Sequence, residues 1–433
     1  MKKLVYNVGI YTLGSFISQF VSFLLIPVLT RYLSPEDYGK LATFNSLLLV
    51  FTVFILFSQD SSFARHYWEY EGKKRAAFLG NTFFVSAAVA CSTLFLIVVF
   101  RMFFRIDLGF DSRWLYLIFV AAILKAVSSV FLGWLQLEKR AILYNGMMLL
   151  SMVTDISIAL ALIIVWRFDW VGRVSGIMIS LLVSSVVGLS YLVRKGFIRF
   201  HLNRDYLRQT ISFSLPLVPA SLSGWGLTLM DRLLLNQMTS LKTLGLYNVG
   251  YSFGQVVFML TVPFSRAWMP FFYELIGSGR EEDKKRIAKV IIIAFFTLCF
   301  VALVLGVNAE WVVRLIVAKE YWACYKYVPL VAFAYTLQGT YAMLCLFLIY
   351  LKKTYLMASI DIAGALMNLT LNIILVRYYG ATGAALALLL SYTVLLLLTL
   401  SCVVKSIDMP WKRSFVELVS YLFSRRIADK KWT

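Results

Sequence analysis

Six ionisable residues stand in or beside long apolar runs. Lys125 and Asp155 lie inside such runs, and Arg31, Arg65, Arg232 and Arg266 lie at the ends of others. Lys125 and Asp155 are each about 11 residues from the same side of the membrane, roughly 16 Å deep at 1.5 Å per residue. Opposite charges at equal depth can meet if their helices face each other. Left alone, each would cost about 2.5–3.5 kcal/mol at the helix centre. The two residues therefore read as a structural ion pair or as a relay for a proton or ion. Arginine carries a planar, permanently charged fork that suits anions. Arg31 and Arg232 sit near the outer ends of the first and seventh runs. Arg65 and Arg266 sit near the inner ends of the second and eighth, where basic residues are also expected for orientation alone. Arg232 has a second option in its neighbour Asp231.

The elements that must hold these groups are membrane helices. Of 433 residues 61% are hydrophobic and only 15% charged, with a mean hydropathy of +0.79. No soluble fold can hide that much apolar surface. Runs of about 20 apolar residues between short charged breaks define an all-α polytopic membrane protein, without the alternation of a barrel. Spans are expected at about 9–29, 41–58, 76–100, 114–134, 142–166 and 173–193, then at 211–235, 244–266, 287–308, 327–351, 355–376 and 381–404. The first run is too long for a signal peptide and lacks its cleavage site. The sets form two six-helix lobes, 1–193 and 211–404, around a central cavity. They are joined by the basic connector 194–210 and followed by the tail 405–433. In that tail Trp411, Phe415, Leu418, Val419 and Leu422 recur at helical spacing among basic residues, as in a helix lying in the interface.

The net charge of +20 is spread over short breaks between spans, which suits lipid headgroups and orientation rather than nucleic acid. Segments on the side of the termini carry more than twice as many Lys and Arg as those opposite, which puts both termini in the cytoplasm. The five cysteines include no C-x-x-C pair, and four fall inside spans as packing residues. No metal or cofactor motif, nucleotide-binding loop or catalytic constellation is present, and no break is long enough for a soluble domain.

The halves echo each other. PEDYGKLATF, with Gly39, parallels KTLGLYNVGY, with Gly245, each in the break before an even-numbered span. Lys139-Arg140 and Lys352-Lys353 each introduce a span, and Asp155 and Asn368 follow at the same offset. An even number of spans per half predicts parallel repeats about an axis along the membrane normal.

Four stretches carry a resemblance: NVGIYTLGSFISQFVSFLLIPVLTRYLSPEDYGKLATF, SSFARHYWEYEG, FSLPLVPASLSGWGLTLMDRLLL and NLTLNIILVRYYGATGAALA. In order and spacing the chain resembles the polysaccharide and O-antigen flippases, whose superfamily includes the multidrug and toxic-compound extruders. The resemblance implies a V of two lobes, alternating access, and spans one, two, seven and eight lining the cavity. It implies export of undecaprenyl-pyrophosphate-linked oligosaccharide across the inner membrane, for O-antigen, capsule or exopolysaccharide. The arginines would then hold the pyrophosphate at both mouths, while the polyprenyl tail stays in lipid. Partners would be membrane lipids, the lipid-linked glycan and a polysaccharide polymerase of the same pathway. Lipid II flippases of the superfamily usually carry two further spans, which argues against a peptidoglycan role. A drug or cation extruder of the same fold is an alternative, though it would want more carboxylates. A membrane glycan polymerase or ligase is another, though it would want a sizeable external loop.

Overall fold

The computed structural model describes residues 17, 19–103, 108–417 and 420, without the side chains of Phe100, Ala220 and Arg266. Every element among them is helical. The short helix α1, Gln19–Tyr32, leads through a two-residue turn into α2, Pro35–Leu56. Ser34 sets that start: its hydroxyl accepts from the Asp37 amide at 3.2 Å, and its own amide donates to the Asp37 carboxylate at 3.3 Å. Pro35 supplies a first helical residue that needs no amide donor. α2 stops where Phe57 and Ser58 adopt left-handed φ angles of 48° and 52°, and α3, Gln59–His66, finishes the span. α4 (Gly72–Phe103), α5 (Trp114–Leu137), α6 (Ala141–Leu160, extended by a π-turn to Val165) and α7 (Trp170–Arg194) complete the first half.

The second half opens with α8 (Arg204–Ser214) and α9 (Val218–Met238). The chain bends by 48° between Arg204–Leu217 and Ser221–Met238, where Pro216 and Pro219 withhold amide donors. α10 (Leu241–Gly254) is capped by Ser240, which accepts from the Thr243 amide at 3.2 Å. α11 (Val256–Gly277) carries Pro263 and bends by 45° between Val256–Ser265 and Ala267–Gly277. Next come α12 (Glu281–Val307), the short α13 (Ala309–Ile316), a 3-10 stretch at Lys319–Tyr327, and α14 (Val328–Tyr350). Last is α15 (Thr354–Ser406). Gly380, at φ 56° and ψ −136°, folds α15 back on itself. Asn368 on one arm donates to Ser391 on the other at 3.1 Å, and Gly364 packs on Leu395. Both pairs are centred on Gly380, so the arms run antiparallel and α15 supplies two spans. With α2–α3, α8–α9 and α10–α11 each taken as one broken span, the molecule has the twelve-helix architecture expected from the sequence.

The buried core shows how the halves meet. One apolar cluster joins them, with Leu33, Tyr38 and Phe44 of the first half packed among Val249, Phe253, Val313 and Tyr321 of the second. A separate cluster holds Phe63, Phe78, Trp134, Leu192 and Ile198 at the connector end of the first half alone. Contact between the halves is thus concentrated at the end that carries Gly39.

The basic connector 194–210 is tied down and partly helical. The Arg199 amide donates to the Ala76 carbonyl at 2.9 Å, and Asn81 bridges His201 and Asn203 at 2.8 and 2.9 Å. Residues 204–209 already belong to α8, which packs on α3 and α4. The change of lobe comes at the bend beyond it. In the tail, a helix over 411–417 sets Trp411 against Phe347 and Phe415 against Phe296, while Glu417 pairs with Lys289 at 2.7 Å. It packs on α12 and α14; Leu418, Val419 and Leu422 lie outside the described residues.

Candidate functional site: a cavity between the halves

A cavity of about 360 Å³ lies between α1 and α6 on one side and α10 and α11 on the other. Gln19, Ser22, Phe23 and Ile26 recur at helical spacing on one face of α1 and line it. Ser252, Gln255 and Met259 line it from the other half. The two walls mirror each other in chemistry, with Gln-x-x-Ser facing Ser-x-x-Gln, and the edge-to-face pair Phe23–Phe253 at 5.3 Å bridges them. A second pocket of about 230 Å³ opens inside the first half and shares Ser22 and Met148 with the central one.

One end of the cavity is sealed by α2 crossing α10. A Cβ on Gly39 would stand 2.1 Å from the Leu241 carbonyl oxygen, and one on Gly245 would stand 1.8 Å from that of Pro35. Only glycine lets the two helix backbones touch in this way. Beside the crossing, Tyr321 donates to the Leu33 carbonyl at 2.8 Å and lies edge-on to Tyr38. Deeper in, Trp225 of α9 donates to the Ser46 carbonyl of α2 at 3.2 Å. Near the connector end the halves touch through hydroxyls, Ser58 with Ser221 at 3.1 Å and Ser214 with the Ser58 carbonyl at 3.4 Å.

The six residues singled out by charge are not brought together. Asp155 does not pair with Lys125. Its carboxylate accepts both prongs of Arg173, Nη1 on Oδ1 and Nη2 on Oδ2, the second at 3.0 Å. α7 begins at Trp170, so Arg173 enters the span by one turn and reaches α6. Lys125, half-buried on α5, makes no ion pair among the described residues. Arg232 is 4% exposed and faces neither cavity. It bonds Asp231 at 2.9 Å, the Thr228 carbonyl at 2.6 Å and Asn248 at 3.2 Å, with its guanidinium 4.1 Å from the Tyr251 ring. Tyr247 donates to the other oxygen of Asp231. In this conformation these bonds hold Arg232 within the packing of α9 on α10, away from the cavity lining. Arg31 is exposed on the last turn of α1. Arg65 is exposed near the end of α3 and paired with Glu69. Arg266 lies at the bend of α11; its side chain is outside the described residues. The polar lining of the cavity comes instead from Gln19, Ser22, Ser252 and Gln255, which charge alone does not flag. Their signal was the spacing of polar residues within apolar helices.

The polysaccharide biosynthesis protein family matches residues 4–276. A Haemophilus influenzae protein described as Lsg locus putative protein 1 is 25% identical over 364 residues, 83% of this chain and 88% of that one. Among solved structures, the lipid II flippase MurJ in an inward closed conformation superposes with a TM-score of 0.71 at 16% identity, covering 97% of this chain and 92% of that one. An inward-facing multidrug resistance MATE family transporter of the MOP superfamily gives 0.70 at 15% identity, covering 90% and 96%. At such identities these structures establish the fold, which is that of a MOP-superfamily transporter.

Proposed function

The chain belongs to the polysaccharide biosynthesis protein family, and from that premise we propose that it flips undecaprenyl-pyrophosphate-linked oligosaccharide across the cytoplasmic membrane by alternating access. The observation that carries this is the cavity between the halves, closed at one end by the Gly39–Gly245 crossing. The excess of Lys and Arg at the connector end supports a cytoplasmic position for that end. The seal is then external and the cavity faces inward. A sugar head enters from the cytoplasm among the glutamines and serines while the polyprenyl tail stays in lipid. Parting of α2 from α10, with closure at the other end, releases it outside. Arg65 stands at the entrance and Arg31 beyond the seal at the exit, where a guanidinium can meet the pyrophosphate before and after passage.

Export of a cationic drug fits less well. Arg173 neutralises Asp155, Arg232 neutralises Asp231, and Tyr341 donates to Asp361 at 2.6 Å. A polysaccharide polymerase of the same pathway would take the product at the outer face.

The test is deletion of the gene, followed by mass spectrometry of the lipid extract and assay of surface polysaccharide. A lipid-linked oligosaccharide should accumulate while surface glycan falls, and the purified chain in proteoliposomes should move that lipid between leaflets. Normal surface glycan with no accumulated lipid would refute the proposal.

A further inference from the structure

The pocket inside the first half is a built site that the transport cycle above leaves unused. It lies between α1, α5, α6 and α7, and about 230 Å³ of space is enclosed by five serines, three methionines, Leu132 and Asp155. At ~30 Å³ per water it would hold about seven waters, or one pyranose ring but not a chain of them. Ser128 and Ser151 line the pocket, and neither hydroxyl is engaged by another group of the described residues. Ser180 and Ser184 complete that wall from α7. The pocket is not isolated, since Ser22 and Met148 line both it and the central cavity.

Its chemistry discriminates among ligands. The one carboxylate, Asp155, is saturated by the two-pronged Arg173 fork, so the site is close to neutral. A cation would find no free charge to bind, and a pyrophosphate would find no free guanidinium. Serine hydroxyls donate and accept alike, while Leu132, Met147 and Met152 offer an apolar, adaptable wall. A ring with hydroxyls on its rim and C–H groups on its face matches both surfaces.

We propose that this pocket binds one uncharged sugar ring of the lipid-linked glycan and so sets which repeat unit is carried. The proposal rests on the flippase assignment and deepens it. The central cavity admits the head, and the side pocket reads one residue of it. Recognition through a few hydroxyls gives selectivity rather than strong binding, which suits a carrier that must release its load.

The experiment uses the full chain in lipid nanodiscs and two probes. One is bare undecaprenyl pyrophosphate; the other is the glycan-bearing carrier that accumulates in the deletion strain. Wild type should bind the glycan-bearing form at least about tenfold tighter, since several hydroxyl contacts of ordinary strength are added. Ser128→Ala/Ser151→Ala, which removes two hydroxyls with little change in volume, should cut that preference by about fivefold or more. Ser151→Met, which fills the space, should abolish it. Both variants should bind the bare carrier as wild type does. A preference that survives in both variants, or is absent in wild type, overturns the proposal. So does an equal loss for both probes, which would mark the pocket as structural only. If the deletion strain accumulates no lipid-linked glycan, the flippase assignment itself fails, an outcome distinct from any of these.

Discussion

The glycine crossing makes a quantitative demand on the cycle. A carbon approaches a carbonyl oxygen to about 3.3 Å at closest in ordinary contacts. The Cβ of Gly245→Ala would start 1.8 Å from the Pro35 oxygen, so α2 and α10 must separate by about 1.5 Å. Gly39→Ala, starting at 2.1 Å from Leu241, requires about 1.2 Å by the same contact distance. Overpacking of this kind costs about 1–3 kcal/mol, and only in the sealed state, because the added methyl meets nothing once the helices part. The equilibrium should therefore shift toward the unsealed state by roughly 5- to 150-fold. Spin labels at Glu36 and Lys242, in a background without the five native cysteines, read the separation across the crossing by pulsed dipolar spectroscopy. Each alanine should raise the long-distance population, and export should fall because the inward state is depleted. Gly146→Ala, where a Cβ meets nothing within 4 Å, is the control. An unchanged short distance in both variants, with export at the wild-type level, would show that the crossing is not the seal.

Six further outcomes follow from particular residues. Arg232→Gln leaves the Asp231 carboxylate buried without its ion pair, so it should lose about 3–5 kcal/mol of stability, read as early unfolding or loss of protein. Arg31→Gln, at an exposed position, should fold normally yet lose export. Asp155→Asn and Arg173→Gln should each harm protein level more than the two together. Lys125→Ala should add to Asp155→Ala within about 0.5 kcal/mol, whereas non-additivity would reinstate a link between them. Asn81→Ala removes both side-chain bonds to the connector, and hydrogen exchange should rise over 199–205 by the equivalent of about 1–3 kcal/mol. A cysteine at Ser34 should react with an impermeant thiol reagent in intact cells and one at Asn203 should not; the reverse would invert the orientation.

The helices were legible in the sequence because apolar length and turn residues are local. Even the tight return at Gly380 was visible as a break between two runs. Depth was legible too, from counting residues, but direction around a helix axis was not. Lys125 and Asp155 stand at like depth, yet only Arg173 points at Asp155. Arg173 stands at the first residue of its expected span, whereas α7 begins three residues earlier, at Trp170, and so carries it one turn inward. An arginine side chain can also span a full turn of helix, which blurs depth as a guide to partners. The same blindness affected Arg232. Its position at a span end suggested a mouth, whereas Asn248, Tyr247 and Tyr251, one helix away, enclose it. Those partners share no motif with it, and only the packing of α9 on α10 brings them together.

The echo between the halves proved most informative where it meets itself. Ser34 and Ser240 cap α2 and α10, and a glycine follows each cap by five residues. In the fold these equivalent glycines touch: a Cβ on Gly245 would lie 3.0 Å from the Gly39 amide nitrogen. Two equivalent residues of a repeat can touch only where the axis relating them passes between them, so Gly39 and Gly245 mark that axis. A substitution at either is felt by both halves at once. The seal is thereby placed where a small rotation of one half against the other opens it symmetrically, and where no side chain has to be cleared from the path. Residues far from the axis, such as Arg31 and Arg232, are under no such constraint. Arg31 is exposed and Arg232 is held in a buried network, and neither is matched by an arginine at the equivalent position of the other half, Gln237 and Ile26.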